Sequence, residues 1–451
     1  MDRLSDLPEP ILIHILSMLP DDGKQVVRTS VLSTRWRFIW MSVLVSLDFN
    51  HSSKKGIADF IASVHRELYY WRSCDKIRRF NVYLHSYDEC YAKDVDLWLH
   101  FATTKVEDFF RLGIRNDKNY EFPQFAYKIA SLRNLELWQC QLNPRGSVHW
   151  SSLVSLSFGF MNLTESVMKK VLSGCPNLEC LELHNFRGIH RLEISSVKLR
   201  ELSIECYYND NHDLWLEIIA PHIQTLGLSG LCNEIRIRQR NVASLVTAIL
   251  YLDFDVKGKE RNLEKECSFL KELLQSVAHV ENLQLNTWGI ECLSILELKG
   301  WRSPPSSWKF LELGATLNQL EFPGICSFLQ SSSDLETLVI SWYGYNHKSR
   351  ELLSKYINED EQSRRFETHY FNCSLLHLKT IKFIDYFGPL SKYKSALPLV
   401  KYLLKHAIVL EKFVVTARIK RNVASQDYVK MEQEFLSFPR SSPHASVIFS
   451  Y

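Results

Sequence analysis

The sequence predicts an α/β protein with a three-helix N-terminal module, a curved solenoid of repeats and a C-terminal α/β cap. Three observations predict this organisation. Apolar residues recur at helical spacing near the N-terminus, a strand motif recurs from about residue 130 onward, and a strand–helix–strand pattern follows a charged stretch near the C-terminus. The predicted boundaries are 1–48 for the helical module, 49–76 for a helical connector, 77–345 for the solenoid, 346–368 for a charged loop and 369–451 for the cap.

The first helix is predicted to begin near Pro8 and to carry an apolar stripe. Ser5 or Asp6 can cap its N-terminus, and Pro8 suits a first helical turn. The helix is expected to end at Pro20, which cannot continue it. The stripe recurs at every fourth position, at Ile11, Ile15 and Leu19.

Two more short helices are predicted in the same module. Asp22 is expected to cap the second, and Ser33 the third, on which Trp36 and Trp40 lie one turn apart. Three short helices present more apolar surface than they can bury among themselves. A partner protein could cover this surface, and so could the rest of the chain, and physical reasoning alone leaves both possibilities open.

The repeat motif is clearest from residue 132 onward. Leu132-x-x-Leu135-x-Leu137-x-x-Cys140-x-Leu142 matches the leucine-rich repeat signature. Four more copies begin at residues 153, 178, 199 and 223, so successive copies are 21, 25, 21 and 24 residues apart. Looser copies begin at 280, 293 and 335, and residues 77–84 and 106–114 are predicted to be irregular early turns. Each repeat needs its neighbour to cover its apolar edge, so the aliphatic residues are predicted to be core.

The residues that alternate with the leucines are predicted to line the concave face and to bind a target. Trp138 is the expected anchor, because an exposed Trp can supply much of a binding energy. The residues predicted to bind the target are Glu136, Trp138, Glu182, His184, Glu201 and Glu205. The later concave positions are predicted to be Asn282, Gln284, Asn286, Lys299 and Lys382. The early repeats are therefore expected to offer an acidic patch.

A basic strand is the second candidate for target binding. Arg236, Arg238 and Arg240 alternate and should share one strand face. They could grip an acidic or phosphorylated segment, and they could equally form a solvated sheet face.

The C-terminal segment is predicted to close the solenoid. Residues 378–383 and 410–415 read as strands, and residues 399–407 carry a helical stripe between them. Because the open end of a solenoid exposes its core, this segment is predicted to act as a cap.

These motifs together resemble a known family. Leu4-Ser5-Asp6-Leu7-Pro8-Glu9 and Val31-Leu32-Ser33-Thr34-Arg35-Trp36 resemble the F-box, and with the repeats and the segment after residue 378 the chain resembles the plant F-box/leucine-rich-repeat/FBD family. The resemblance implies the substrate-recognition subunit of an SCF-type (Skp–cullin–F-box) E3 ubiquitin ligase, with no catalytic residues of its own. The F-box would bind a Skp-type adaptor, and through it a cullin–RING core. The residues assigned to this contact are Leu7, Pro8, Ile11, Ile15, Leu19, Val31, Leu32 and Trp36.

Composition and motifs argue against several other classes. The net charge of +3 is small for a nucleic-acid-binding protein, and no apolar stretch is long enough to predict a membrane span. The N-terminus lacks the pattern of a secretory signal, so the cytoplasm or the nucleus, or both, is expected. The eleven cysteines include no Cys-x-x-Cys pair, so neither a metal, nor a disulfide, nor a cofactor is predicted.

Two alternatives to the ligase function stay open. Because no phosphate-binding loop or hydrolase motif occurs, an enzyme is not favoured. A repeat scaffold that binds partners without promoting ubiquitination would have the same sequence features. So would a receptor of this architecture whose target binding requires a small molecule.

Overall fold

The computed structural model describes residues 4–450, except residues 5, 20–22, 52–55, 116–119, 207–213, 232–234, 241, 254–262, 343–352, 359, 362–363, 365–374, 386–393 and 418–424. The chain divides into two compact units. Unit 1 comprises Met1–Glu205 with Leu216–His222, and unit 2 comprises Cys206–Trp215 with Ile223–Tyr451.

The described part of the chain contains both helices and strands, and seven strands follow one another between residues 180 and 253. The helices are α1 (Glu9–Ser17), α2 (Gly23–Arg28), α3 (Trp36–Ile39), α4 (Ile57–Trp71), α5 (Ala92–Lys105), α6 (Glu165–Gly174), α7 (Leu263–Ser276), α8 (Thr287–Leu298), α9 (Phe322–Gln330), α10 (Leu397–His406) and α11 (Ser425–Ser437). The strands are β1 (Ser46–Asn50), β2 (Ile77–Leu84), β3 (Val106–Ile114), β4 (Tyr120–Glu121), β5 (Asn134–Trp138), β6 (Cys140–Gln141), β7 (Ser155–Gly159), β8 (Cys180–His184), β9 (Arg191–Glu193), β10 (Glu201–Cys206), β11 (Leu214–Ile219), β12 (Thr225–Leu231), β13 (Ile235–Arg240), β14 (Thr247–Asp253), β15 (Asn282–Leu285), β16 (Phe310–Ala315), β17 (Thr337–Trp342), β18 (Thr380–Asp385), β19 (Lys412–Ala417) and β20 (Ser446–Ser450).

The N-terminal module forms three short helices, as predicted, but its helix caps differ from the prediction. Pro8 itself is the N-cap of α1 and no side chain caps that helix, so capping by Asp6 is wrong. Helix α3 begins only at Trp36, so Ser33 is not its N-cap. The predicted caps Ser5 and Asp22 lie outside the described residues. Pro10, the second residue of α1, has no backbone N–H, so one of the donors that a side-chain cap would satisfy is absent.

The module packs on the first long helix of unit 1. Trp40 lies in a short turn after α3, and its ring meets Trp71 of α4 edge-on at 5.3 Å between ring centroids. Trp71 is also buried. The bulk of these two indoles fixes the module against the helix that precedes β2.

Unit 1 contains a parallel sheet in the strand order β1-β2-β3-β5-β7-β8-β10. The predicted early turns are real strands, β2 and β3, with the predicted bounds. The sheet begins earlier than the predicted boundary at residue 77, because β1 pairs with β2. In β5 the motif leucines Leu135 and Leu137 are buried while the residues beside them are only half-buried. The period of two along each strand thus separates the core from an open strand face.

Unit 2 contains a second parallel run, β12-β14-β15-β16-β17-β18-β19-β20. The repeat predicted at residue 293 is wrong, because Leu293 and Leu296 belong to the buried helix α8. Residues three apart face the same way on a helix, so the L-x-x-L pattern alone does not distinguish the two structures. Strands β14 and β16 supply the repeats that the pattern missed.

Two polar residues predicted for the strand face of unit 2 lie instead at the ends of α8. Asn286 is the N-cap residue, and Lys299 follows the helix, with its Nζ 3.5 Å from Glu264. Lys382 does lie exposed on β18. Of the two lysines predicted for this face, only Lys382 lies on it.

The C-terminal segment continues the same parallel sheet. Strand β18, helix α10 and strand β19 match the predicted strand–helix–strand pattern, and α11 and β20 follow them unpredicted. The segment is built from the same strand–helix units as the repeats, and its likeness to an FBD cap stays a prediction. The predicted charged loop 346–368 lies largely outside the described residues.

A buried carboxyl in unit 2 gives a testable pH dependence. Glu321 is fully buried and accepts hydrogen bonds from the backbone nitrogen and the hydroxyl of Thr316. Burial, with a smaller contribution from Glu291, raises the pKa of Glu321 from 4.5 to about 7. Between these two values the unfolded chain has lost a proton that the folded chain keeps, so stability falls as pH rises.

We expect Glu321→Gln to remove this dependence. Gln stays neutral at every pH. As the pH rises from about 5 to about 8, the wild type should therefore lose up to about 3 kcal/mol of unfolding free energy relative to the variant. Urea unfolding at both values measures the difference. Parallel pH dependence of the two proteins would show that Glu321 is ionised in the folded state throughout.

Candidate functional site

The N-terminal module has a complete small core of its own. Leu12 and Leu16 on α1 and Val26 on α2 are buried, together with Trp36 and Ile39 on α3. The three short helices therefore pack on one another through one side of α1. Trp36, predicted as a direct adaptor contact, is only 3% exposed and belongs to this core.

The other side of the module is apolar and uncovered. Ile11 is 45% exposed, Val31 85% and Leu32 58%. Of the 21 large hydrophobic side chains that are exposed among the described residues, seven lie between residues 4 and 44. These seven are Leu4, Ile11, Met18, Val31, Leu32, Phe38 and Leu44. Such a concentration of exposed apolar side chains is typical of a surface that another protein covers.

The other predicted adaptor-contact residues lie between these extremes. Pro8 is exposed, and Leu7, Ile15 and Leu19 are half-buried. The predicted set thus divides into an accessible group and one core residue, Trp36. Four accessible apolar residues of the module were not predicted, Leu4, Met18, Phe38 and Leu44.

The predicted target residues share the open strand face of unit 1. The parallel register aligns Glu136, Ser157 and Glu182 in one row, and Trp138, Gly159 and His184 in the next. Glu205 continues the second row on β10. Five of the six predicted residues are half-buried, and Glu201 is exposed at the start of β10.

Glycines allow aromatic rings to lie flat along this face. A Cβ atom on Gly159 would lie 2.2 Å from the ring of Trp138, and one on Gly113 would lie 2.5 Å from the ring of Tyr83. Trp138 therefore lies across β7 and stacks on His184, with 5.3 Å between centroids and 18° between planes. We call Tyr83, Trp138 and His184 the aromatic strip.

Charged groups flank the strip and partly neutralise one another. Nε of Arg111 lies 2.5 Å from Oε2 of Glu136. His184 lies between two carboxylates, with Nδ1 2.7 Å from Glu205 and Nε2 3.4 Å from Glu182. The hydrogen bonds that His184 donates to Glu182 and then to Glu205 raise the pKa of His184 against the effect of its partial burial, and the bond with His184 lowers the pKa of Glu182. Both pKa shifts favour the charged forms of His184 and Glu182.

Two kinds of feature are absent from the described residues, and one candidate surface lies outside them. Among the described residues, no three His, Cys, Asp or Glu side chains group as a metal site. The described helices include none long and apolar enough to cross a membrane. The side chains of Arg236, Arg238 and Arg240, on β13, lie outside the described residues.

Two family models match this chain. A family model described as the F-box domain matches residues 4–46, and one described as the At1g61320/AtMIF1 LRR domain matches residues 72–437. The chain belongs to the F-box/LRR-repeat proteins. The F-box match ends where β1 begins, at Ser46.

Similar F-box/LRR-repeat proteins occur in Arabidopsis thaliana. The F-box/LRR-repeat protein At3g03360 is 28% identical over 467 aligned positions, which cover 100% of this chain and 91% of that protein. The putative F-box protein At1g49610 is 32% identical over 352 positions, covering 75% and 84% of the two chains. The F-box/LRR-repeat protein At5g02910 is 30% identical over 375 positions, covering 81% and 77%. The predicted resemblance to plant F-box/leucine-rich-repeat proteins is confirmed.

Several residues of this F-box/LRR-repeat protein matter to the strand face but were not predicted. Arg111 and Tyr83 are contributed by β3 and β2, whose irregular sequences hid their outward positions. Phe160, which follows β7, is 48% exposed and its ring lies 5.8 Å from that of Trp138. The alternation of β3 could have identified Arg111, whereas Phe160 lies outside the strand motif.

Proposed function

We propose that this F-box/LRR-repeat protein is the substrate-recognition subunit of an SCF-type E3 ubiquitin ligase. Its F-box binds a Skp-type adaptor and through it a cullin–RING core, and its repeats bind a protein target. The observation that supports this most is the uncovered apolar surface of the F-box. Its core is already filled by its own residues, and Val31 and Leu32 contribute to a second apolar surface that the chain leaves exposed.

The division of the F-box residues refines the adaptor contact. Ile11, Val31 and Leu32 are accessible for direct burial against an adaptor, with Leu7, Pro8, Ile15 and Leu19 around them. Burying one such side chain contributes about 1.5–3 kcal/mol. Trp36 supports the surface from beneath rather than forming it.

The repeats supply the proposed target surface. The open strand face of unit 1 presents Trp138, which is half-buried, together with polar and charged side chains. A large amphipathic ring among polar neighbours is typical of binding hot spots. We assign target binding to this face, with Glu136, Trp138, Glu182, His184, Glu201 and Glu205 as its central residues.

The proposal predicts that the isolated chain transfers no ubiquitin. Transfer to a bound target is expected only when the adaptor, the cullin, the RING subunit and a charged conjugating enzyme are all present, because the chain is proposed to contribute target binding alone. A reconstituted assay that omits one component at a time measures this. Ubiquitin transfer by the chain and the conjugating enzyme alone would contradict the proposed role.

Localisation follows as a further part of the proposal. We place the protein in the cytoplasm, the nucleus or both, where SCF components are available to it. Imaging of a fluorescent fusion tests this, and accumulation in a secretory compartment would contradict it.

A further inference from the structure

The aromatic strip ends in an excess of negative charge. Glu182, Glu201 and Glu205 lie on the two strands β8 and β10, and His184 is the cation that lies between two of them. Three carboxylates outnumber the single imidazole, so this end is negative whether His184 is neutral or protonated. Glu136, further along the face, is paired with Arg111 and adds little to the field.

Towards the other end of the strip the described charges are paired. Arg79 and Arg111 approach the ring of Phe109, with 5.8 Å and 5.3 Å between guanidinium carbon and ring centroid. Arg79 also lies 4.0 Å from Asp108, and Arg111 pairs with Glu136, whereas the carboxylates of β8 and β10 exceed their cations and can attract one. Complementary charge of this kind sets partner choice and association rate.

We propose that the acidic end of the aromatic strip binds a basic side chain, arginine or lysine, of the polypeptide segment that the repeats recognise. This inference rests on the proposed function in taking the repeats as the target-binding part. The aromatic face that receives the cation is Trp138, and its counter-charges are Glu182 and Glu205.

The geometry provides both parts of such a site. Trp138 is held flat because Gly159 beneath it has no Cβ atom, so its face is fixed across the strands. An indole is the aromatic ring that attracts cations most strongly. The neighbouring carboxylates can accept charge-assisted hydrogen bonds, which a guanidinium donates in pairs.

His184 acts as the built-in cation that the incoming side chain replaces. It faces Glu182 on its own strand, Glu205 on β10 and the ring of Trp138 on β5, while β7 contributes Gly159. In the free protein these two carboxylates hold the imidazolium. A second cation at the same carboxylates favours the neutral ring, so binding releases a proton and should strengthen as pH rises.

Fluorine NMR of the full-length chain labelled with fluorotryptophan tests the site. The Trp138 resonance is assigned with Trp138→Phe, and the probes are acetyl-Ala-Arg-Ala-amide and acetyl-Ala-Glu-Ala-amide. The arginine peptide should shift the Trp138 resonance, with an affinity several-fold higher at about pH 8 than at about pH 6. The glutamate peptide should leave it unchanged.

Variants separate the two parts of the site. The double substitution Glu182→Gln, Glu205→Gln should lower the affinity for the arginine peptide by about tenfold or more. Glu121→Gln, the same change at an exposed carboxylate of β4, should leave the affinity for the arginine peptide unchanged. His184→Gln should keep binding and lose its pH dependence.

Two results would overturn the inference. One is an equal response of Trp138 to both peptides, and the other is no response to the arginine peptide at either pH. Adaptor binding is measured separately on the same protein. If the protein binds the arginine peptide but not the adaptor, the ligase role is refuted and this site is supported. If it binds the adaptor but not the arginine peptide, this site alone is refuted.

Discussion

Replacing Val31 and Leu32 together by Asp is expected to reduce binding of a Skp-type adaptor by about 100-fold or more. Each side chain buried at the interface contributes about 1.5–3 kcal/mol, and each 1.4 kcal/mol is about tenfold in affinity. Because Val31 is 85% and Leu32 58% exposed in the free chain, their replacement removes little internal packing. Titration of purified adaptor against both proteins measures the effect.

A matched control separates this effect from a general one. Leu97 on α5 is 59% exposed, almost the same as Leu32, but lies outside the F-box. Leu97→Asp should leave adaptor affinity unchanged, and circular dichroism should show the same secondary structure in all three proteins. Undiminished adaptor binding by the Val31→Asp, Leu32→Asp protein would place the adaptor on another surface.

Trp36→Ala is expected to abolish adaptor binding by a different route, through loss of the F-box fold. Trp36 is 3% exposed, and truncating a buried Trp to Ala costs about 3–5 kcal/mol. A module of this size has little stability to lose. Hydrogen exchange of residues 4–46 should therefore rise strongly in this variant, whereas the double Asp variant should keep its protection.

The same measurement decides between two roles for Trp36. If Trp36→Ala lost adaptor binding while exchange in residues 4–46 stayed as slow as in the wild type, Trp36 would contact the adaptor directly, as the sequence resemblance implies. The structure predicts fast exchange and lost binding together.

The sequence predicts the repeat strands well because their chemistry is local. A motif such as Leu132-x-x-Leu135-x-Leu137 combines alternation with regular spacing, and strand β5 follows two residues after its first leucine. The prediction fails at Leu293 and Leu296, where residues three apart fit a helix as well as a strand motif. Only the packing of α8 between its neighbours resolves that choice.

The functional surfaces could be predicted only in part. The sequence places Ile11 in an apolar stripe of α1. Whether that side of the short helix faces the module's own core depends on how Trp36 packs. Likewise the outward position of Trp138 follows from the motif, whereas its partner Arg111 and the ring space above Gly159 depend on pairing between distant strands. The register between these strands is a property of the tertiary structure, and it cannot be read from one sequence alone.

The central claim is that the F-box connects a bound target to the ubiquitination machinery. Quantitative affinity mass spectrometry of the wild type against the Val31→Asp, Leu32→Asp protein tests it most directly, with and without proteasome inhibition. We predict that adaptor and cullin are recovered with the wild type only. We also predict a set of bound proteins that accumulates on the variant and reaches the same level on the wild type when the proteasome is inhibited. Failure of the wild type to recover adaptor and cullin, or bound proteins whose levels do not respond to proteasome inhibition, would contradict the claim and favour a scaffold that does not promote degradation.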